Sequence, residues 1–282
     1  MRRRKLEETF FKGVMIASLT VVAGILGLIL AVLLVQGAPF LSWPMLIQTP
    51  SGGYYLGKGG GIANAIVGSL YLSFGATLLS FFLGAPIAFA LQKEFIGRRL
   101  ARVTRLSLDI LWGTPSIVYG AFGFMIMVYV GFGASLLGGI IALSLLMLPI
   151  MTRSVEEVIR MISPELKEVS YALGTTRIET TLAVVFRQAL PGMVTGVLLA
   201  FGRGIGDTAS ILFTAGYTDN IPRSLFEPVA SLPLAVFFQV ATPIPEVRGR
   251  AYASALILLM IVLGVSLASR LLGRRFSRHV LK

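Results

Sequence analysis

Leu199 to Ser210 reads L-A-F-G-R-G-I-G-D-T-A-S and lies inside an apolar run long enough to cross a bilayer. It carries Arg203 and Asp207, four residues apart, with Gly202, Gly204 and Gly206 beside and between them. A charge at the bilayer centre costs about 2.5–3.5 kcal/mol on insertion scales, so side chains that carry one there usually mark a pathway. The stretch is therefore read as lining a polar path through a membrane. On a helix the two charges would share one face and pair. The competing reading is a static ion pair that locks this helix to a neighbour.

Composition points the same way. The 282 residues are 55% hydrophobic and 13% charged, with a mean hydropathy of +0.83. A soluble domain carries about 25% charged residues. The apolar runs suit membrane-spanning helices rather than the short alternating strands of a barrel. There is no cysteine, which excludes disulfides and thiolate metal sites, and the single histidine, His279, lies in a basic tail. The net charge of +12 raises the question of nucleic acid. The basic residues, however, cluster beside the ends of apolar runs, as the positive-inside rule requires, so the expected partner is the bilayer and not nucleic acid. No Ser–His, Cys–His or paired-carboxylate arrangement at membrane depth suggests an enzyme.

Read in order, residues 1–12 form a basic cytoplasmic tail and 13–36 the first span. That run is longer than the 7–15 residues usual for a signal-peptide core, so it is read as uncleaved. Residues 37–62 form an external loop with Trp43, Tyr54 and Tyr55. Within it Gly52 to Lys58 nearly spells a phosphate-binding G-x-x-x-x-G-K loop, but Gly59 stands where Ser or Thr would hold magnesium. Residues 63–272 form the core. Ala63 to Leu91 is the second span, and Leu106 to Thr152 divides near Gly131 to Gly133 into a third and a fourth joined as an external hairpin. Asp109 is read as a helix N-terminal acid favoured by the dipole. Residues 153–189 return to the cytoplasm, and the fifth span is placed at about Leu190 to Tyr217. The external loop 218–250 holds an apolar part, Leu225 to Val240, read as interfacial or re-entrant because Pro228 and Pro233 interrupt it. The last span runs from about Ala251 to Ser269, and 273–282 is a basic cytoplasmic tail. With six spans and both termini in the cytoplasm, twenty of the 25 basic residues fall inside.

The loop 153–189 has its own pattern. Ser163-Pro164 predicts a helix start, with Pro at the first helical position. Leu166, Val169 and Leu173 share one face at helical spacing, while Glu165, Lys167 and Glu168 stay polar. Gly174 predicts a left-handed stop, and Thr176 with Glu179 a capping box for the next helix. Two short helices with a tight corner form a knob that either docks into a soluble partner or lies on the membrane surface.

At this loop the chain resembles a known family. E-V-S-Y-A-L-G, Glu168 to Gly174, resembles the EAA loop of ABC-importer permeases, with Val169 and Ser170 replacing two alanines. The family's Leu-Pro continuation is displaced by four residues, to Leu190-Pro191. G-G-I-A-N-A-I-V-G-S-L from Gly60, G-T-P-S-I-V-Y-G from Gly113 and L-P-I-M-T-R-S-V-E-E from Leu148 are similar to the phosphate-specific transporter permeases. So are G-R-G-I-G-D-T-A-S-I-L-F-T-A-G from Gly202 and L-F-E-P-V-A-S-L-P from Leu225, which favour the A-type branch over the C-type. Where the family has G-E-T-A-P, this chain has G-D-T-A-S, with the shorter Asp207 and with Ser210.

The resemblance implies an all-α integral membrane protein of the type I importer permease (MetI-like) fold, with six spans and a cytoplasmic coupling-helix loop. It implies a permease subunit of an ATP-driven phosphate importer in the inner membrane. Arg203, Asp207, Gly204, Gly206 and Thr208 would line the substrate path. Glu165, Glu168, Tyr171, Ala172 and Gly174 would form the loop that seats in an ATP-binding subunit. The implied partners are a dimer of ATP-binding subunits, a related second permease and an extracytoplasmic phosphate-binding protein. No metal or cofactor is expected on this chain, ATP being held by the partner. A permease for molybdate or sulfate, and a non-transporting scaffold or signalling subunit, are the alternatives.

Overall fold

A computed structural model describes residues 2–51 and 59–276. The near-phosphate-loop at Gly52 to Lys58 and the tail residue His279 lie outside the described residues. The elements are α1 (Arg2–Gly37), α2 (Trp43–Ile47), α3 (Ala63–Ala90), α4 (Arg98–Gly113), α5 (Ser116–Val130), α6 (Leu136–Arg160), α7 (Pro164–Ala172), α8 (Arg177–Thr180), α9 (Phe186–Ile205), α10 (Leu232–Gln239) and α11 (Pro245–Phe276). A π-helical turn, Thr181–Val185, joins α8 to α9 without a break. Five helices are long and apolar enough to cross a membrane, and the bent pair α4–α5 makes a sixth if it is one span.

The bundle is built on α3 against α6. The buried face of α3 is mostly small: Ala65, Gly68, Ser69, Ser73, Ala76, Thr77, Ser80 and Gly84. Small side chains let helix backbones approach where lipid supplies no hydrophobic drive for association. A Cβ at Gly139 would lie 2.6 Å from Leu72 Cδ2, and one at Gly84 would lie 2.9 Å from Thr152 Oγ1. Leu72, Leu143, Met147 and Met151 fill the seam. α1, by contrast, buries almost nothing and exposes apolar residues all round, as a helix facing lipid does. Its end docks on α11, where a Cβ at Gly37 would lie 2.7 Å from Tyr252 O.

The structure differs from the sequence expectation at four places. α1 begins at Arg2, so helix takes in most of the stretch assigned to a tail. The last helix is longer than expected, Pro245–Phe276. The third span is not one rod: it bends by 98° between α4 and α5. Pro115 lacks an N–H and biases Thr114 away from helix, so the G-T-P-S sequence breaks the span that hydropathy alone had joined. The fifth span also ends early. The spanning helix is Arg177–Ile205, not Leu190 to Tyr217.

Beyond Ile205 the backbone stays irregular to Ser231. Three glycines in five residues weaken the end of α9, and the Asp207 side chain competes for backbone donors. Irregular backbone at membrane depth is tolerated only where protein satisfies it. Here α6 donates Leu136 N–H to Glu227 O and Leu137 N–H to Leu225 O, both at 2.8 Å, and Ser135 N–H, just before α6, donates to Thr214 O. Val229 N–H donates to Ala215 O at 2.9 Å. From α3, Asn64 Nδ2 donates to Thr218 O, and Ser69 Oγ accepts from Leu232 N–H, each at 2.7 Å. Within the Leu225 to Val240 stretch, Val229, Ala230, Leu232, Leu234 and Ala235 are fully buried against the bundle.

Candidate functional site

Three polar constructions interrupt the apolar bundle. The first is at the end of α9. Gly204 packs on α6, where an added Cβ would lie 2.6 Å from Met147 Sδ. Met147 is near the middle of α6, about 16 Å along from Leu136 at 1.5 Å per residue. Arg203 and Asp207 therefore lie level with the middle of α6. Arg203 Nη1 donates to Asp207 Oδ1 at 3.3 Å. The pair does not share a helix face, because α9 has already ended: Asp207 lies past the cap residue Gly206.

The two members are held very differently. Asp207 is 5% exposed and Arg203 50%. Asp207 Oδ2 accepts from Ser210 N–H at 2.9 Å and from Ser210 Oγ at 2.6 Å. Asp207 is thus a fixed anchor of the turn, and Arg203 the looser partner. Where the family pattern has Glu and Pro, the shorter Asp207 and the N–H of Ser210 bind each other; a proline there would have no N–H to give. α5 crosses this turn at Gly120, where a Cβ would lie 2.7 Å from Ala209 O. Gly202 and Gly206 have open space where a Cβ would be, and Thr208 is half-buried beside them.

The second construction is the hairpin expected at 153–189. Ser163 Oγ accepts from Glu165 N–H, Pro164 opens α7, and Gly174 adopts φ +85°. Thr176 and Glu179 complete the capping box: Glu179 Oε2 accepts from Thr176 N–H at 2.7 Å. The hydroxyls of Ser170, Thr175 and Thr180 bond one another at 2.7–3.0 Å and fasten α7 to α8. The predicted apolar face of α7 is turned largely outward, with Leu166 alone half-buried. Val169 and Leu173 are exposed, as is Ile178, while the buried position is Ser170. The expected coupling residues Glu165, Glu168, Tyr171, Ala172 and Gly174 are all exposed at the surface of the hairpin.

Glu94, in the turn between α3 and α4, holds this hairpin to the bundle. Its Oε1 accepts from Lys167 Nζ at 3.0 Å, and its carbonyl accepts from Arg177 Nη1 at 2.7 Å. Burial alone would raise the Glu94 pKa. The hydrogen bonds from Lys167 and its own backbone, with the charges of Lys167 and Lys93, outweigh burial and hold it below the ordinary value. Sequence reading missed Glu94, whose partners lie 73 and 83 residues away.

The third construction was also missed. Glu156 on α6 is 2% exposed and gathers three arginines. Arg160 Nη2 and Arg105 Nη2 lie 2.6 and 2.8 Å from its Oε1, and Arg153 Nη1 lies 3.6 Å from Oε2. Arg105 also donates to Leu91 O, tying the ends of α3 and α6 to the middle of α4. Asp109 pairs with Arg153 from the last turns of α4. That overturns its reading as a helix N-terminal acid, since α4 starts at Arg98. The available signal was the spacing of Arg153, Glu156 and Arg160 on one helix face, next to the apolar stripe Met147, Met151, Val155 and Ile159.

Residues 76–280 match the family described as the binding-protein-dependent transport system inner membrane component. This chain belongs to that family. It is a multi-pass inner membrane component of a transport system that works with a binding protein. Among relatives, the phosphate transport system permease protein PstA of Mycobacterium leprae is 38% identical over 212 residues, covering 74% of this chain and 69% of that protein. The protein of the same name from Yersinia pestis is 37% identical, over 76% of this chain and 72% of its own length. A probable ABC transporter permease protein, YqgI of Bacillus subtilis, is 30% identical over 96% of each chain. In structure, the chain is similar to a subunit of the inward-facing MetNI methionine ABC transporter, with a TM-score of 0.62 at 20% identity, over 78% of this chain and 96% of that one. The all-helical, MetI-like importer permease fold is thus established.

Proposed function

We propose that this member of the family is a permease subunit of an ATP-driven inorganic phosphate importer and supplies half of the translocation path. The observation that carries the reading is Arg203: a half-exposed guanidinium level with the middle of α6, in a chain whose relatives at 36–38% identity are named as phosphate permeases. A guanidinium stays charged at any working pH and offers paired donors suited to phosphate oxygens. Phosphate can take Arg203 from Asp207 without stranding a buried charge, because Ser210 keeps Asp207 Oδ2 bonded. Gly204, Gly206 and Thr208 complete the path wall in this reading, the open side of Gly206 leaving room for the anion.

The bias of basic residues places the hairpin and both termini in the cytoplasm. There α7 to Gly174 is the surface that seats in an ATP-binding subunit, with Glu165, Glu168, Tyr171 and Ala172 at the contact. ATP is bound and hydrolysed by a dimer of those subunits, and no cofactor is held here. A second, related permease faces Gly202 and Arg203 across the path, and an extracytoplasmic phosphate-binding protein delivers substrate. Radiolabelled phosphate uptake by the reconstituted complex tests the assignment. Excess unlabelled phosphate is expected to abolish uptake, and excess sulfate or molybdate to leave it unchanged. Competition by sulfate equal to that of phosphate would assign the path to another oxyanion.

A further inference from the structure

A groove of about 1160 Å³ opens at the charged end of the bundle, between the α3–α4 turn, α4, the end of α6 and the start of α7. Lys93, Arg98, Arg102, Arg105, Arg160 and Lys167 line it, against only two carboxylates, Glu94 and Asp109. Those carboxylates are already engaged, by Lys167 and by Arg153. Arg105 and Arg160 are engaged by Glu156. Arg98 and Arg102 are exposed and make no ion pair among the described residues, so the groove presents uncompensated positive charge.

The helix beside it is built for an interface between water and lipid. Arg98, Arg102 and Arg105 form a strip along α4. Next to that strip, Val103, Leu106 and Ile110 form an exposed apolar face at helical spacing, with exposed Arg99 at its head and exposed Leu100 beyond it. Leu106 both belongs to that face and lines the groove. A basic strip bordering an exposed apolar face is the pattern of a helix at an anionic lipid surface. The first turn of α4 adds to this. Its cap residue Gly97 borders the groove and offers no side chain to the free N–H groups, and the turn contains no acid. These donors suit phosphate oxygens.

We propose that this groove binds the phosphate headgroup of an anionic phospholipid, with the acyl chains along Val103, Leu106 and Ile110. The occupant contacts both α4 and α7 and so bridges the broken third span to the hairpin. A lipid source is favoured over free phosphate because the basic strip runs along an apolar face that a soluble anion would leave uncovered.

The test uses the complete transporter, delipidated and returned to bilayers of phosphatidylcholine with or without phosphatidylglycerol. Retained lipid is read by mass spectrometry of the intact complex. Phosphatidylglycerol is expected to be retained over phosphatidylcholine. Arg98→Gln with Arg102→Gln should lower that retention about 30-fold, at roughly a kcal/mol per basic residue near an anionic surface. Arg98→Lys with Arg102→Lys should preserve it, which separates loss of charge from loss of folding. Equal retention by the Gln double variant and the native chain would overturn the proposal. So would displacement of the lipid by millimolar inorganic phosphate, which would assign the groove to the free anion. So would loss of the ATP-binding subunit from the Gln double variant with lipid retention unchanged, which would assign the strip to a protein contact.

Discussion

Two buried carboxylates, Asp207 and Glu156, organise the polar chemistry, and each is held by a different device. Asp207 is fixed by the Ser210 N–H and hydroxyl three residues along its own turn, so its hold does not depend on Arg203 alone. Glu156 is fixed by three arginines from two helices. Removing one member of a fully buried pair costs about 3–5 kcal/mol; here Arg105 and Arg160 are partly solvated, so the loss is smaller. Glu156→Gln is expected to lower stability by about 2 kcal/mol, read as a lower unfolding midpoint of the purified complex. An unchanged midpoint would mean that the arginines are already satisfied by water. Arg203 and Asp207 were legible in the sequence because charges in an apolar run stand out. The Arg105–Glu156 bond was not, since its partners are 51 residues apart and each looks like an ordinary charge near a helix end.

At the scale of elements, local signals gave the hairpin almost whole. The Ser163-Pro164 start, the Gly174 stop and the Thr176–Glu179 box each rest on neighbouring residues, and each is present. What sequence could not show is the direction of α7: the apolar residues Val169 and Leu173 face out because Ser170 packs on Thr175 and Thr180. A non-glycine residue in the left-handed conformation costs about 1–2 kcal/mol, so Gly174→Trp should distort the corner. That change, and separately Glu168→Arg at the contact surface, are expected to uncouple ATP hydrolysis from uptake in reconstituted vesicles. An unchanged ratio of ATP hydrolysed to phosphate moved would remove the hairpin from the coupling path. The Glu94 anchor adds a pH dependence. Its folded pKa lies below the ordinary 4.5, so its contribution is fully present above that value and is lost as pH falls through the depressed one. Protection of the 164–180 amides, corrected for the pH dependence of intrinsic exchange, should therefore hold from neutral pH down to the ordinary glutamate range and fall below it. In Glu94→Gln the exchange should be fast throughout; a pH profile unchanged by that substitution would contradict the anchor.

For the whole molecule, hydropathy and charge bias were enough to give an all-helical membrane protein with about the right number of spans. They failed where the chain stops being a rod. The 98° bend at Thr114-Pro115 and the irregular residues from Gly206 to Tyr217 are both largely apolar, so a hydropathy window passes through them unbroken. The irregular stretch finds its hydrogen-bond partners on α3 and at the start of α6, far away in sequence. One consequence bears directly on transport. In the proposed function the chain from Pro164 through α9 joins the exposed hairpin to Arg203, so a push on the hairpin is expected to reach that guanidinium. The measurement that tests this most directly is phosphate uptake by the reconstituted transporter carrying Arg203→Gln, at equal expression and with the partner subunits retained. Loss of uptake with assembly intact is the expected result. Normal uptake by that variant would contradict the account and leave Arg203 a structural charge.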